Sequence, residues 1–103
     1  MMKAQVRAWL AEQIGEDEEL LQSLYAEYVS ALTELFAKAK GEIAAGDYVA
    51  LNETAHTLKG STSTVGDTEM FDAVLVLRDA AKASDGAGAV AALTRLESLK
   101  AAL

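Results

Sequence analysis

The chemistry open to this sequence centres on His56. It is the only histidine in 103 residues, and the chain has no cysteine. A serine or cysteine triad lacks its parts, because no candidate nucleophile accompanies His56 with a third orienting group. No glycine-rich loop is present to cradle a nucleotide phosphate. What remains is one imidazole in the run Ala55-His56-Thr57-Leu58-Lys59-Gly60-Ser61, with a lysine three residues on and a glycine four residues on.

On a helix, successive residues turn by about 100°. Tyr48, Leu51, Ala55, Leu58 and Thr62 then form a compact, mostly apolar stripe. His56 lies roughly 120° from the centre of that stripe, so it faces solvent at the flank. Lys59 and Gly60 take the i+3 and i+4 positions beside it. Asn52 and Ser63 share the same flank and are candidate docking-surface residues, able either to hydrogen-bond an incoming group or to stay solvated. A glycine inside a helix costs about 0.8–1.0 kcal/mol relative to alanine, so Gly60 needs a reason. The reason offered here is space for another molecule to approach. A neutral imidazole presents one nucleophilic nitrogen while the other carries the proton. A phosphoryl group added there brings negative charge, which Lys59 would offset. The constellation suits a group carrier: a nucleophile and a compensating cation, with no metal cage or cofactor loop.

His56-Thr57-Leu58-Lys59-Gly60-Ser61, followed by Val65-Gly66, resembles the signature of histidine-containing phosphotransfer (HPt) domains. The Gly46-Asp47 turn and the apolar spacing after Gly66 extend the resemblance from about residue 17 to residue 103. The resemblance implies an antiparallel four-helix bundle, often with an extra N-terminal helix. It implies His56 as phosphoacceptor, Lys59 as the phosphoryl-stabilising residue and Gly60 as the clearance residue for a partner. It also implies response-regulator receiver domains and a sensor or hybrid histidine kinase as partners. The chain itself would need no cofactor, and a receiver partner would supply the aspartate and a Mg²⁺ ion. Two features depart from the family pattern. Asn52 and Glu53 stand where basic residues are common, and Asp67 stands where a small residue is common. Both are expected to make the surroundings of His56 more acidic.

The elements that must hold His56 read as helices throughout. Alanine is abundant and proline absent. Val6, Leu10 and Ile14 repeat every four residues, with Trp9 beside them, and predict a short N-terminal helix over residues 1–15. Lys3, Gln5, Arg7 and Glu12 break its apolar run, so it is not a signal peptide. Trp9 reads as a packed side chain, with a partner-binding anchor as the alternative. The acidic run Glu16, Asp17, Glu18 and Glu19 suits a helix N-terminus. The long helix behind it, ending near Ala45, carries a broad stripe from Leu20 and Leu21 through Tyr25, Tyr28, Leu32 and Phe36 to Ile43. Its two tyrosines read as core.

Gly46 and Asp47 make a C-cap and an N-cap in succession. The His helix follows over residues 48–63, and Val65-Gly66-Asp67 separates it from the next. Met70, Val74, Leu77 and Ala81 form that helix's apolar face, widened by Phe71 and Leu75. Phe71 reads as core, with partner contact as the alternative. Residues 84–88, rich in small side chains, read as a loop. Val90, Leu93, Leu96, Leu99 and Leu103 face inward from the last helix. The expectation is one all-α domain over residues 1–103: an antiparallel four-helix bundle over 17–103 with an additional short N-terminal helix.

A formal net charge of −7 argues against nucleic acid or an anionic membrane as partner. The absence of cysteine fits a cytoplasmic setting. One chain of this length, 51% apolar, can enclose its own core, so a monomer is expected. Glu53 and His56 have the Glu-x-x-His spacing of di-iron bundles, but such a site needs that motif from two helices, so no metal site is expected. Two further functional readings stand beside the carrier. One is a non-phosphorylated module that sequesters a receiver domain. The other is the excised phosphoacceptor domain of a larger histidine kinase.

Overall fold

A computed structural model describes residues 3–103. Met1 and Met2, which the sequence places in the first helix, lie outside the described residues. The described residues form α1 (Ala4–Ile14), α2 (Glu18–Ala45), α3 (Tyr48–Thr64), α4 (Thr68–Lys82) and α5 (Gly86–Ala101). From α2 onward each helix packs on the one before it, and α5 returns to α2. The connections span two or three residues, short enough that neighbours must run antiparallel. The result is the expected all-α architecture, an antiparallel four-helix bundle with an added N-terminal helix.

An aspartate starts every helix of the bundle. Asp17, Asp47, Asp67 and Asp85 accept the backbone N–H of Leu20, Ala50, Met70 and Gly88. Each satisfies one of the amides that a helix N-terminus leaves without an internal partner. At the end of α2, Gly46 takes a left-handed conformation (φ 67°) and donates to the carbonyls of Glu42 and Ile43. Asp85 is the cap that sequence reasoning missed. Residues 84–88 are not a loop throughout, since α5 begins at Gly86. Two glycines lower helix propensity, but they sit in the first turn, where the cap and the fully buried Ala89 hold the backbone.

The core takes the predicted residues from α3 and α4: Leu51, Ala55, Leu58, Met70, Val74, Leu77 and Ala81 are buried. Three predicted core residues are instead exposed: Ile14, Leu20 and Val90. Ile14 and Leu20 end and begin their helices, where neighbours no longer cover them. Val90 turns outward because α5 packs through Ala89, Ala92, Leu93 and Leu96. The alanines let that helix approach closely and rotate its buried face by one residue.

Helix lengths explain α1. The 28 residues of α2 span about 42 Å, against about 23–26 Å for α3 to α5. The first turns of α2 therefore overhang the bundle. Helix α1 lies against that overhang and buries Val6 and Leu10. Arg7 pairs with Glu16 and Glu18 at the start of α2.

Candidate functional site

The rotation of α3 is set by what it buries. Leu51, Thr54, Ala55, Leu58 and Thr62 face the bundle. Thr54 was not in the predicted stripe. Its hydroxyl donates to a carboxylate oxygen of Glu42 on α2 at 2.6 Å, which settles its polar group near the core. With that face buried, His56 stands exposed on the opposite flank. Lys59, one turn on, is half-buried. Gly60 is exposed, and a Cβ built there meets nothing within 4 Å outside its own turn of helix. Ser63 is exposed, while Asn52 is half-buried rather than freely solvated. Its Oδ1 is buried and has no hydrogen-bond partner.

Among the described residues, neither the His56 imidazole nor the Lys59 ammonium makes a hydrogen bond or ion pair with another side chain. The hydroxyls around them are occupied by the helix itself. Thr57 donates to the Glu53 carbonyl, Ser61 to Thr57 and Thr64 to Gly60. The face thus offers a solvent-facing ring, an uncommitted cation one turn away, and an unobstructed surface between them.

Asp67 does not acidify the surroundings of His56. It lies eleven residues further on, about 16 Å along the helix direction. Its carboxylate is fully buried, capping α4 while accepting from Lys3 Nζ at 3.0 Å and the Tyr28 hydroxyl at 2.9 Å. Burial, and then the charge of Asp67, push the Tyr28 phenol far above its ordinary range, so it stays a protonated donor. Burial works against the Lys3 charge, but its hydrogen bonds to Asp67 and Glu69 outweigh this and raise its pKa. Of the two tyrosines read as core, Tyr28 is buried and Tyr25 half-buried.

Trp9 is 39% exposed, so it is only partly the packed residue expected. Its indole N–H donates to the Thr64 carbonyl at the end of α3, at 3.1 Å. The ring lies over Gly66, where an added Cβ would collide with it. A cavity of about 440 Å³ opens beside the indole, with Ser63 and the half-buried Phe71 in its walls.

No group of three or more His, Cys, Asp or Glu residues able to hold a metal ion occurs among the described residues. No described helix is long and apolar enough to cross a membrane. No curated protein and no solved structure matches the chain. The family model of the Hpt domain matches residues 19–103, which takes in all of α3 to α5 and all but the first residue of α2. The helix that carries His56, the four-helix ring around it and this match together establish that the chain belongs to the Hpt domain family.

Proposed function

We propose that this chain is a phosphorelay intermediary with His56 as its phosphoacceptor. Hpt domains are phosphocarrier modules of two-component signalling that interact with receiver domains and histidine kinases. The observation that carries the residue-level reading is the exposed His56 ring beside an uncommitted Lys59 and the open surface at Gly60. The unprotonated ring nitrogen attacks the phosphorus of a receiver's aspartyl phosphate. An N–P bond forms and the P–O bond breaks, its electron pair leaving with the aspartate carboxylate. The other ring nitrogen keeps its proton. Lys59 offsets the charge of the phosphoryl oxygens. The reverse step delivers the group to a second receiver aspartate. The receiver brings its aspartate and Mg²⁺, and the chain brings a nucleophile on a rigid helix.

The test is to mix the chain with a phosphorylated receiver domain or an active histidine kinase and follow the label. The expected product is an acid-labile phosphoprotein, with no label on His56→Gln. Lys59→Ala should slow transfer about tenfold, the worth of one charge-assisted hydrogen bond, with an unchanged melting curve. A His56→Gln protein that labels as well as wild type sinks the reading. If neither protein labels but both bind a receiver, the chain is a sequestering module instead.

A further inference from the structure

Charge is shared unevenly between α1 and the bundle. Residues 3–14 carry Lys3, Arg7 and Glu12, a net +1, so of the −7 on the whole chain the remainder holds −8. Among the described residues, every ion pair takes its cation from this segment. Lys3 pairs with Asp67 at 3.0 Å and with Glu69 at 3.2 Å. Arg7 pairs with Glu16 and Glu18. Among the described residues no ion pair joins one bundle helix to another. Packing holds α2 to α5 together, whereas charge holds α1 to them.

The rest of the attachment is thin. Only Val6 and Leu10 of α1 are buried. Gln5 donates to the Thr68 hydroxyl at 2.7 Å and Trp9 to the Thr64 carbonyl at 3.1 Å, both within reach of solvent. The partners of Lys3, Gln5 and Trp9 all fall within residues 64–69, the turn that joins the His helix to α4. At 11 residues, α1 is too short to persist as a helix away from its seat. The bundle needs no such support, because α5 returns to α2 and closes the ring. The Hpt match likewise begins at residue 19, beyond α1. Few buried side chains and exposed hydrogen bonds put α1 at the low end of local stability in this molecule.

We propose that α1 is an ionic latch, a unit that opens from an intact bundle to an extent set by ionic strength. Salt acts on the two parts with opposite sign. It screens Arg7 from Glu16 and Glu18, and Lys3 from Glu69, whose side chains all reach solvent. It also screens the repulsion among the excess carboxylates of the bundle, which favours the compact ring of helices. The pair of Lys3 with the buried Asp67 is screened least and parts last. Opening strips the turn at the foot of the His helix of the bonds that Lys3, Gln5 and Trp9 make to it. It also bares the apolar seat of Val6 and Leu10 with its rim of carboxylates, a surface that the latched form hides. The latch is independent of the carrier reading of His56, and its test needs no phosphorylation.

The test is amide hydrogen exchange on the full chain at about 0.1 M and about 1 M KCl, between which the screening distance falls from about 10 Å to about 3 Å. Amides of residues 7–15, which hold the hydrogen bonds of α1, should exchange about three- to tenfold faster at the higher salt. Core amides of α2 to α5 should keep their rates or slow. In urea, the fluorescence of Trp9 should change before the helical ellipticity of the bundle falls, with a wider gap at high salt. Arg7→Gln should exchange faster in α1 already at low salt and respond less to added salt, while Arg7→Lys should keep most of the response. Amides of α1 that exchange in step with the bundle core at both salts overturn the latch, as does a single urea transition by both probes. Bundle amides that accelerate with α1 show that salt loosens the whole molecule, and the proposal fails. An Arg7→Gln protein with the salt response of wild type removes the ion pairs as its cause.

Discussion

At the scale of single residues, Gly60 separates folding from function. Folding has no use for a glycine there, because a Cβ meets nothing outside its own turn of helix. Gly60→Ala should therefore raise stability by about 0.8–1.0 kcal/mol, the ordinary gain in helix propensity. The same change places a methyl group where a partner must approach, so transfer to a receiver should slow, and Gly60→Gln should slow it further. A thermal melt and a transfer assay on the same preparations check this. Stability and transfer rising together would remove the clearance role. His56, Lys59 and Gly60 were legible from the sequence because they share one helix, where spacing alone fixes their neighbours. Asp67 misled, since nearness in sequence to the His helix is not nearness to the imidazole.

At the scale of elements, the turn between α3 and α4 ties α1 to the bundle. Gly66 has φ 66°, a conformation that costs a residue with a side chain about 1–2 kcal/mol. Its missing Cβ also makes room for the Trp9 indole. Gly66→Ala should lose at least that much stability and push the ring outward. Trp9 is the only tryptophan, so its fluorescence reports the displacement as a red shift. Unchanged emission and an unchanged melting curve would show that the contact between α1 and the turn is dispensable. Helix boundaries were readable wherever an aspartate cap stood beside ordinary helix formers. The start of α5 was hidden because Gly86 and Gly88 outweighed Asp85 in local propensity, while the buried Ala89 decided the outcome.

At the scale of the whole molecule, the overhang of α2 makes α1 part of the structure, and the Lys3–Asp67–Tyr28 cluster is its polar anchor. The cluster sets the alkaline limit. The unfolded Tyr28 phenol ionises near its ordinary value of 10.0, whereas in the fold it remains protonated well above that. Above about pH 10 the unfolded chain therefore holds fewer protons than the native one, and stability falls as pH rises. Lys3 acts in the same direction, because its folded pKa also lies above the ordinary 10.5. Wild type should thus lose stability between about pH 10 and 11. Tyr28→Phe should be less stable at neutral pH by about 1–2 kcal/mol, the worth of a hydrogen bond to a buried carboxylate. It should also lose stability less steeply above pH 10. Urea titrations at pH 7, 9, 10 and 11 measure both, and equal alkaline slopes would mean that Tyr28 is not the group responsible.

By itself the sequence determined everything that depends on separations within one helix: the helical class, the antiparallel order forced by short turns, the outward face of His56, and Lys59 and Gly60 at its side. Those follow from a period of 3.6 residues and from capping chemistry, which are local. Tertiary structure alone decided what lies across a gap between helices. It buried Thr54 against Glu42, turned Val90 outward and drew Asp67 into a cluster with Lys3 and Tyr28. Such pairings depend on helix lengths and close approach, which no spacing along the chain encodes.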